Sequence, residues 1–158
     1  MPIRNPTELA QAPPRDTRLL GIDVGDKTLG LALSDTTLAI ASPLETIRRS
    51  RFSLDVETLR KLIAKHGVAG IVVGLPVNMD GSEGPRCQSV RAFAANLLGK
   101  IELPLVFWDE RLSTVAVTRT MLEADLSRAR RAKLVDKLAA AYILQGYLDH
   151  LRLKRPSQ

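Results

Sequence analysis

The chain has 158 residues, 45% of them apolar and 4% aromatic, and a formal net charge of +6. That length fits one compact domain with an aliphatic core, and the composition excludes collagen-like repeats and global disorder. The positive balance favours a polyanionic partner, nucleic acid first, and no apolar run approaches the roughly 18 residues of a membrane span.

Residues 1–18 carry Pro2, Pro6, Pro13 and Pro14 among polar neighbours, without the continuous apolar stretch of a secretory signal. They read as a flexible arm before a single domain over 19–152, with 153–158 as a tail. Leu19-Leu20-Gly21-Ile22-Asp23-Val24 is a short apolar run stopped by Gly25, the pattern of a buried strand. Leu29–Leu33 predicts a second strand and Leu38–Ala41 a third, the three pairing as an antiparallel meander. Ser53 stands where an N-cap should, before Leu54, Leu59, Leu62 and Ile63, and Gly67 follows the last turn, so a helix is expected between them.

Gly70-Ile71-Val72-Val73-Gly74 has the unbroken β-branched character of a central parallel strand. A loop, Leu75–Gly84, then leads into a helix from about Arg86 to Leu98, and Leu103–Trp108 predicts the fifth strand. Ser113 or Thr114 should cap a helix reaching about Glu123, and a final helix should run from Arg131 to Leu151. The order implies an α/β fold: a five-stranded mixed sheet with helices on both faces. Its parallel strands would bring Asp23, the Leu75–Gly84 loop and Asp109-Glu110 to one edge, where ligands of such sheets collect.

Three carboxylates stand out. Asp23 interrupts an apolar strand, a costly position for an unpartnered charge; the structural alternative is a cap on the Gly25 turn. Asp136 shares a helical stripe with Ala132, Ala139, Ala140, Ile143 and Tyr147, while Lys133 and Lys137 point about 60° and 100° away. Glu110 follows the fifth strand next to Asp109, and either could instead serve the dipole of the helix beyond. If such groups converge, two carboxylates about 4 Å apart repel by roughly 4 kcal/mol at an effective dielectric of 20. Bound Mg²⁺ or Mn²⁺ would relieve that, because the donors are all oxygen.

Two basic clusters carry the charge excess, Arg48-Arg49-Arg51 and Arg128-Arg130-Arg131-Lys133-Lys137. A solvated face is the ordinary reading of either. The second brackets Asp136 and is the stronger candidate for gripping phosphates. Cys87 is alone, so no intrachain disulfide can form, and a reducing, cytoplasmic setting with a passive thiol is expected.

Four blocks together resemble the signature of the YqgF/RuvX family: Leu20-Gly-Ile-Asp-Val-Gly-Asp-Lys-Thr-Leu-Gly30, Val73-Gly-Leu-Pro-Val-Asn-Met-Asp-Gly81, Asp109-Glu-Arg-Leu-Ser-Thr114 and Lys133-Leu-Val-Asp-Lys-Leu-Ala-Ala-Ala-Tyr-Ile-Leu144. The match runs from about Leu19 to His150, with the blocks in family order. It implies an RNase H-like fold and a nuclease of pre-16S rRNA acting in 5′-end maturation during ribosome assembly. The family was earlier described as Holliday junction resolvases from its similarity to RuvC. By position, Asp23, Glu110 and Asp136 carry over as catalytic and metal-holding acids, for Mg²⁺ or Mn²⁺. Lys27 matches the basic position of the first block, and Lys27, Arg111 and Lys133 are the candidate nucleic-acid contacts. Asn78 and Asp80 match the second block, as substrate-side or architectural loop residues. Asp26 departs from the small hydroxyl residue common there and adds a negative charge near the site.

The partners this implies are pre-rRNA, or branched DNA in the resolvase reading, and ribosomal assembly intermediates, with no membrane and with the chain as monomer or homodimer. A resolvase would act as a two-fold dimer. A non-catalytic RNA-binding assembly factor would share the same charge distribution. The Asp-x-Gly-x-x-x-x-Gly pattern also resembles the phosphate turn of actin-like ATPases, but those folds need a second domain to enclose the nucleotide.

Overall fold

The computed structural model describes Ile3–Arg4, residues 16–112 and residues 128–154, with side chains over 16–112 and 136–153. In chain order the strands are β1 (Ile3–Arg4), β2 (Arg18–Val24), β3 (Thr28–Ser34), β4 (Ala41–Arg48), β5 (Val68–Leu75) and β6 (Leu105–Asp109). The helices are α1 (Phe52–His66), α2 (Pro85–Leu98) and α3 (Arg128–Lys154).

Every residue of β2 after Arg18 is buried, as an apolar run without polar alternation must be when both its faces are covered. β3 pairs with it antiparallel, from Leu20 opposite Leu33 to Val24 opposite Leu29. β5 pairs with its other edge in parallel, ending at Ile22 opposite Val73. β4 completes the meander beyond β3, β6 lies parallel to β5, and β1 runs parallel to β6, so the order across the sheet is β1-β6-β5-β2-β3-β4. The five expected strands are all present. The two residues of β1, from within the segment read as an arm, are added at one edge.

Period-2 alternation sends successive side chains to opposite faces. Leu20, Ile22, Leu31, Ile71 and Val73 pack under α1 and α2 with Val56, Leu59, Phe93 and Leu97. Leu19, Val72, Val106 and Trp108 pack under α3 with Ala139, Ala140, Ile143, Leu144 and Tyr147. The small-residue stripe expected on the last helix is thus its sheet-facing side. By the same alternation Asp23 lies on the α3 face. Among the described residues, no helix is long and apolar enough to cross a membrane.

Two local expectations are corrected. The third strand runs over Ala41–Arg48, not Leu38–Ala41. Asp35 accepts bonds from the Thr37 hydroxyl and from the amides of Ala39 (2.8 Å) and Ile40 (3.0 Å), and Leu38 takes a left-handed φ of 57° in that turn. The Thr37 hydroxyl and then the Ile40 amide hold the Asp35 carboxyl down at about 2. β4 is an edge strand with Pro43 in it and most of its length partly exposed, so it lacks the apolar run that marks an interior strand. The start of α1 also differs: its N-cap is Arg51 and no side chain caps it. Buried Asp55 instead reaches back from the first turn to the Ser50 amide at 3.1 Å, the returning half of a capping arrangement. The C-terminal signal holds, with Gly67 left-handed at φ 64°. The helix expected from Ser113 or Thr114 to Glu123 lies outside the described residues.

A Cβ on Gly30 would overlap the Asp136 carbonyl of α3, whereas one on Gly67 would meet open space in a strained backbone conformation. Gly30→Ala is therefore expected to lower stability by about 1–3 kcal/mol through overpacking, and Gly67→Ala by about 1 kcal/mol through its φ. Urea unfolding midpoints measure both. An unperturbed Gly30→Ala would contradict the close approach of α3.

Candidate active site

One row of residues crosses the sheet at the carboxyl ends of its parallel strands. Asp23 pairs with Gly30 on β3. Gly74, one residue past the Ile22–Val73 pair, stands on its other flank and is paired with Trp108 on β6. Asp23 is thus the one side chain between two glycines, and it is 2% exposed. The missing side chains make room for what lies above. A Cβ on Gly30 would run into Asp136 of α3, and one on Gly74 would run into Ile143 and come within 3.4 Å of Glu110 Cγ. The three carboxylates expected from the sequence therefore lie along this one row, Asp136 over its β3 side and Glu110 over its β5 side, with Asp23 between.

Asp136 is half-buried, and the Thr28 hydroxyl donates to its Oδ2. Thr28 lies two residues before Gly30 and so on the same face. Sequence reading passed over it, although the face rule applied to the first block points to it.

Asp109 and Glu110 differ in their surroundings. Asp109 is the last residue of β6 and alternates to the face opposite Trp108. Its carboxylate is taken by Arg111, with Nη2 at 2.7 Å and Nε at 3.1 Å, plus the Arg111 amide at 2.9 Å. That guanidinium holds the Asp109 carboxyl below the usual carboxylate range. Glu110 opens the 3₁₀ turn Glu110–Leu112 and lies over Gly74.

Arg111 also donates to the Met79 carbonyl at 3.4 Å, which ties the β5–α2 loop to the site. Within that loop the Asn78 amide nitrogen bonds Ser82 Oγ at 3.0 Å, and Asp80 accepts from the Ser82 amide at 2.9 Å and from its hydroxyl. Asn78 and Asp80 thus build the loop, the architectural half of their expected role. Lys27 is exposed in the β2–β3 turn, with its carbonyl accepting from the Arg49 amide at 2.8 Å. Lys133 lies in α3 one helical turn before Asp136, and its side chain is outside the described set, as are those of Arg128, Arg130 and Arg131. Cys87 is buried in the core, where desolvation pushes its thiol up, so the expected passive role stands.

The donors around Asp23 are carboxylate oxygens, the chemistry that hard divalent cations take. As they stand, no three His, Cys, Asp or Glu side chains among the described residues converge tightly enough to hold one ion. The fit to a metal rests on donor chemistry and on the shared location.

The parallel core, the antiparallel meander beyond it and a long helix over the acidic face define an RNase H-like nuclease fold. RuvC of Thermus thermophilus, solved in complex with a Holliday junction substrate, aligns with a TM-score of 0.52 at 13% identity, covering 85% of this chain and 96% of RuvC. The same protein solved separately aligns equally, at 14% identity. The family model described as "RuvX: Holliday junction resolvase" matches residues 17–150, and this chain belongs to that family. A relative from Paramagnetospirillum magneticum, named "Putative pre-16S rRNA nuclease", is 63% identical over 95% of this chain and 97% of its own length. One of the same name from Rhodobacter capsulatus is 62% identical over 91% of each.

The Asp109–Arg111 pair gives a pH-dependent expectation. Asp109 is depressed in the folded chain, so its contribution to stability is present above the ordinary carboxylate range and lost as pH falls through the lowered value. Arg111→Met should let the carboxyl rise toward 3.8 and flatten the dependence of stability on pH below about 4. Urea unfolding from pH 2 to 7 reads this, and an unchanged profile would mean that Arg111 does not set the Asp109 charge.

Proposed function

We propose that this chain is a divalent-metal-dependent nuclease that matures the 5′ end of pre-16S rRNA in the bacterial cytoplasm, with Asp23, Glu110 and Asp136 as its catalytic acids. The observation that carries this reading is the placement of Asp23 between Gly30 and Gly74, with Asp136 on one side and Glu110 on the other. The RNA assignment comes from the names of relatives that are 62–63% identical over nearly the whole chain. The lone, buried Cys87 suits a reducing compartment.

Asp23, Glu110 and Asp136 are the residues that would hold Mg²⁺ or Mn²⁺. When bound, such an ion supplies Lewis-acid polarisation of the phosphodiester and activation of the attacking water. Asp23 gives the site a deep anchor on a central strand. Thr28 fixes the orientation of the Asp136 carboxylate through its hydroxyl. Arg111 pairs with Asp109, Glu110 is assigned to the site at the end of β6, and Arg111 also holds the Met79 loop at the rim. Lys27, exposed in the turn after β2, and Lys133, one helical turn before Asp136 in α3, are both assigned to the phosphate backbone.

A second reading, resolution of four-way DNA junctions, is favoured by the description of the family model and by the fold shared with a junction-bound RuvC. Incubating a pre-16S 5′-leader RNA and a synthetic four-way junction with the protein, in Mg²⁺, Mn²⁺ or EDTA, separates the two. Cleavage of the RNA that stops in EDTA and falls at least about a hundredfold in Asp23→Asn is expected. A lost charge-stabilising group is worth about 3 kcal/mol. Glu110→Gln should behave likewise and Asp109→Asn should retain most activity. Activity surviving both EDTA and Asp23→Asn would overturn the mechanism, and binding of RNA without cleavage would instead mark a non-catalytic assembly factor.

A further inference from the structure

At the edge of the sheet where β2 ends just past Asp23, and reaching round to the α2 side, lies an open cleft of about 600 Å³ lined by Asp26, Lys27, Arg48, Arg49, Ser50 and Ser89. It joins three separate parts of the chain: the β2–β3 turn, the end of β4 with the start of α1, and the exposed side of α2. Three cations and two hydroxyls face one carboxylate there. Among the described residues the ion pairs are Glu57–Arg60, Glu83–Arg91 and Asp109–Arg111, and neither Lys27 nor Arg48 is in one of them.

Arg49 is held rigidly. Its Nη1 donates to the Gly25 carbonyl at 2.6 Å, its guanidinium lies 5.2 Å from the centre of the Phe93 ring, and its backbone amide bonds the Lys27 carbonyl. An arginine locked by stacking and one hydrogen bond still presents further N–H groups in a fixed fork, the geometry that matches phosphate. Arg48 is exposed and pairs in register with Thr28, the residue that bonds Asp136. Neighbouring strands lie about 4.8 Å apart. The chain from Asp23 to Gly25 can span no more than about 7 Å. The cleft is therefore within a few nucleotides of the acidic row on a continuous strand.

We propose that this cleft is a second phosphodiester subsite, in which Arg48, Arg49, Ser50 and Ser89 hold the backbone of the strand being cut next to the scissile phosphate. The subsite rests on the nuclease reading of the acidic row. Asp26 opposes it, and so sets how tightly the strand is held.

The test measures binding of fluorescein-labelled single-stranded RNA, and of DNA of the same sequence, by anisotropy across a salt series, with a background Asp23→Asn substitution to prevent cleavage. Arg48→Ala and Ser89→Glu, both at exposed positions, are expected to weaken binding about tenfold. Arg48→Ala should also lower the salt slope by about 0.7, the value for one single-strand phosphate contact. Asp26→Asn should tighten binding, and Lys61→Ala, on the outer side of α1, should match the background. Equal losses for RNA and DNA identify the backbone as what is held, and a loss confined to RNA would overturn that by pointing to the 2′-hydroxyl. Unchanged affinity in Arg48→Ala and Ser89→Glu, in a protein whose Asp23-intact form cleaves RNA, would overturn the subsite and leave the nuclease reading standing. If the intact form neither binds nor cuts either strand, both fall.

Discussion

The close approach of α3 to the sheet is the constraint on which the site depends. Helix and strand can come this near only where the sheet offers no side chain, and Gly21, Gly30 and Gly74 provide that gap under Ala140, Leu144, Asp136 and Ile143. A Cβ on Gly21 would already be 2.8 Å from Leu144 Cβ and 3.0 Å from the Ala140 carbonyl. The alanines of the helix complete the fit from the other side, since bulkier residues would hold it off. Packing is therefore also what brings Asp136 to Asp23. Loosening the helix would separate the acids without touching any of them.

Around that contact, charge is sorted by face. Alternation along β6 turns Asp109 away from the α3 side, and Arg111 neutralises it there. Glu110 escapes the alternation because the strand has ended and a 3₁₀ turn has begun. The outcome is one acid on the acidic row and one in an ion pair, from two adjacent carboxylates that look equivalent in the sequence. Arg111 links this sorting to the rim, since the same guanidinium reaches the loop that follows β5. Asn78, Asp80 and Ser82 then keep that loop in shape by bonding among themselves. The basic cleft lies at the ends of β2 and β4 and reaches Ser89 of α2, the helix that follows this loop.

Much of this could be read in advance, and the reason is the strength of local signals. Unbroken apolar runs marked β2 and β5, and the left-handed Gly67 marked the end of α1. The stripe through Ala139, Ala140, Ile143 and Tyr147 marked the buried side of the last helix before its partner was known. The weak points were where burial is partial. β4, on the edge and partly exposed, has no apolar run to find, and the start of α1 is organised by Asp55 reaching back to Ser50, with no N-cap side chain. Thr28 was missed because a threonine in a strand looks like ordinary β-propensity until the helix above it is placed.

The amino-acid sequence by itself determined the α/β class, the parallel core with its meander, and the presence of Asp23 and Asp136 where an apolar environment makes a charge costly. These follow from periodicity and burial, which are local along the chain. That Asp109 pairs with Arg111 while Glu110 lies over Gly74, what Thr28 bonds, and that Arg48 and Arg49 share a cleft with Lys27 and Ser89 were decided only by the tertiary structure. Those facts depend on contacts between segments as many as 108 residues apart, and no local pattern encodes how far a helix can settle onto a sheet.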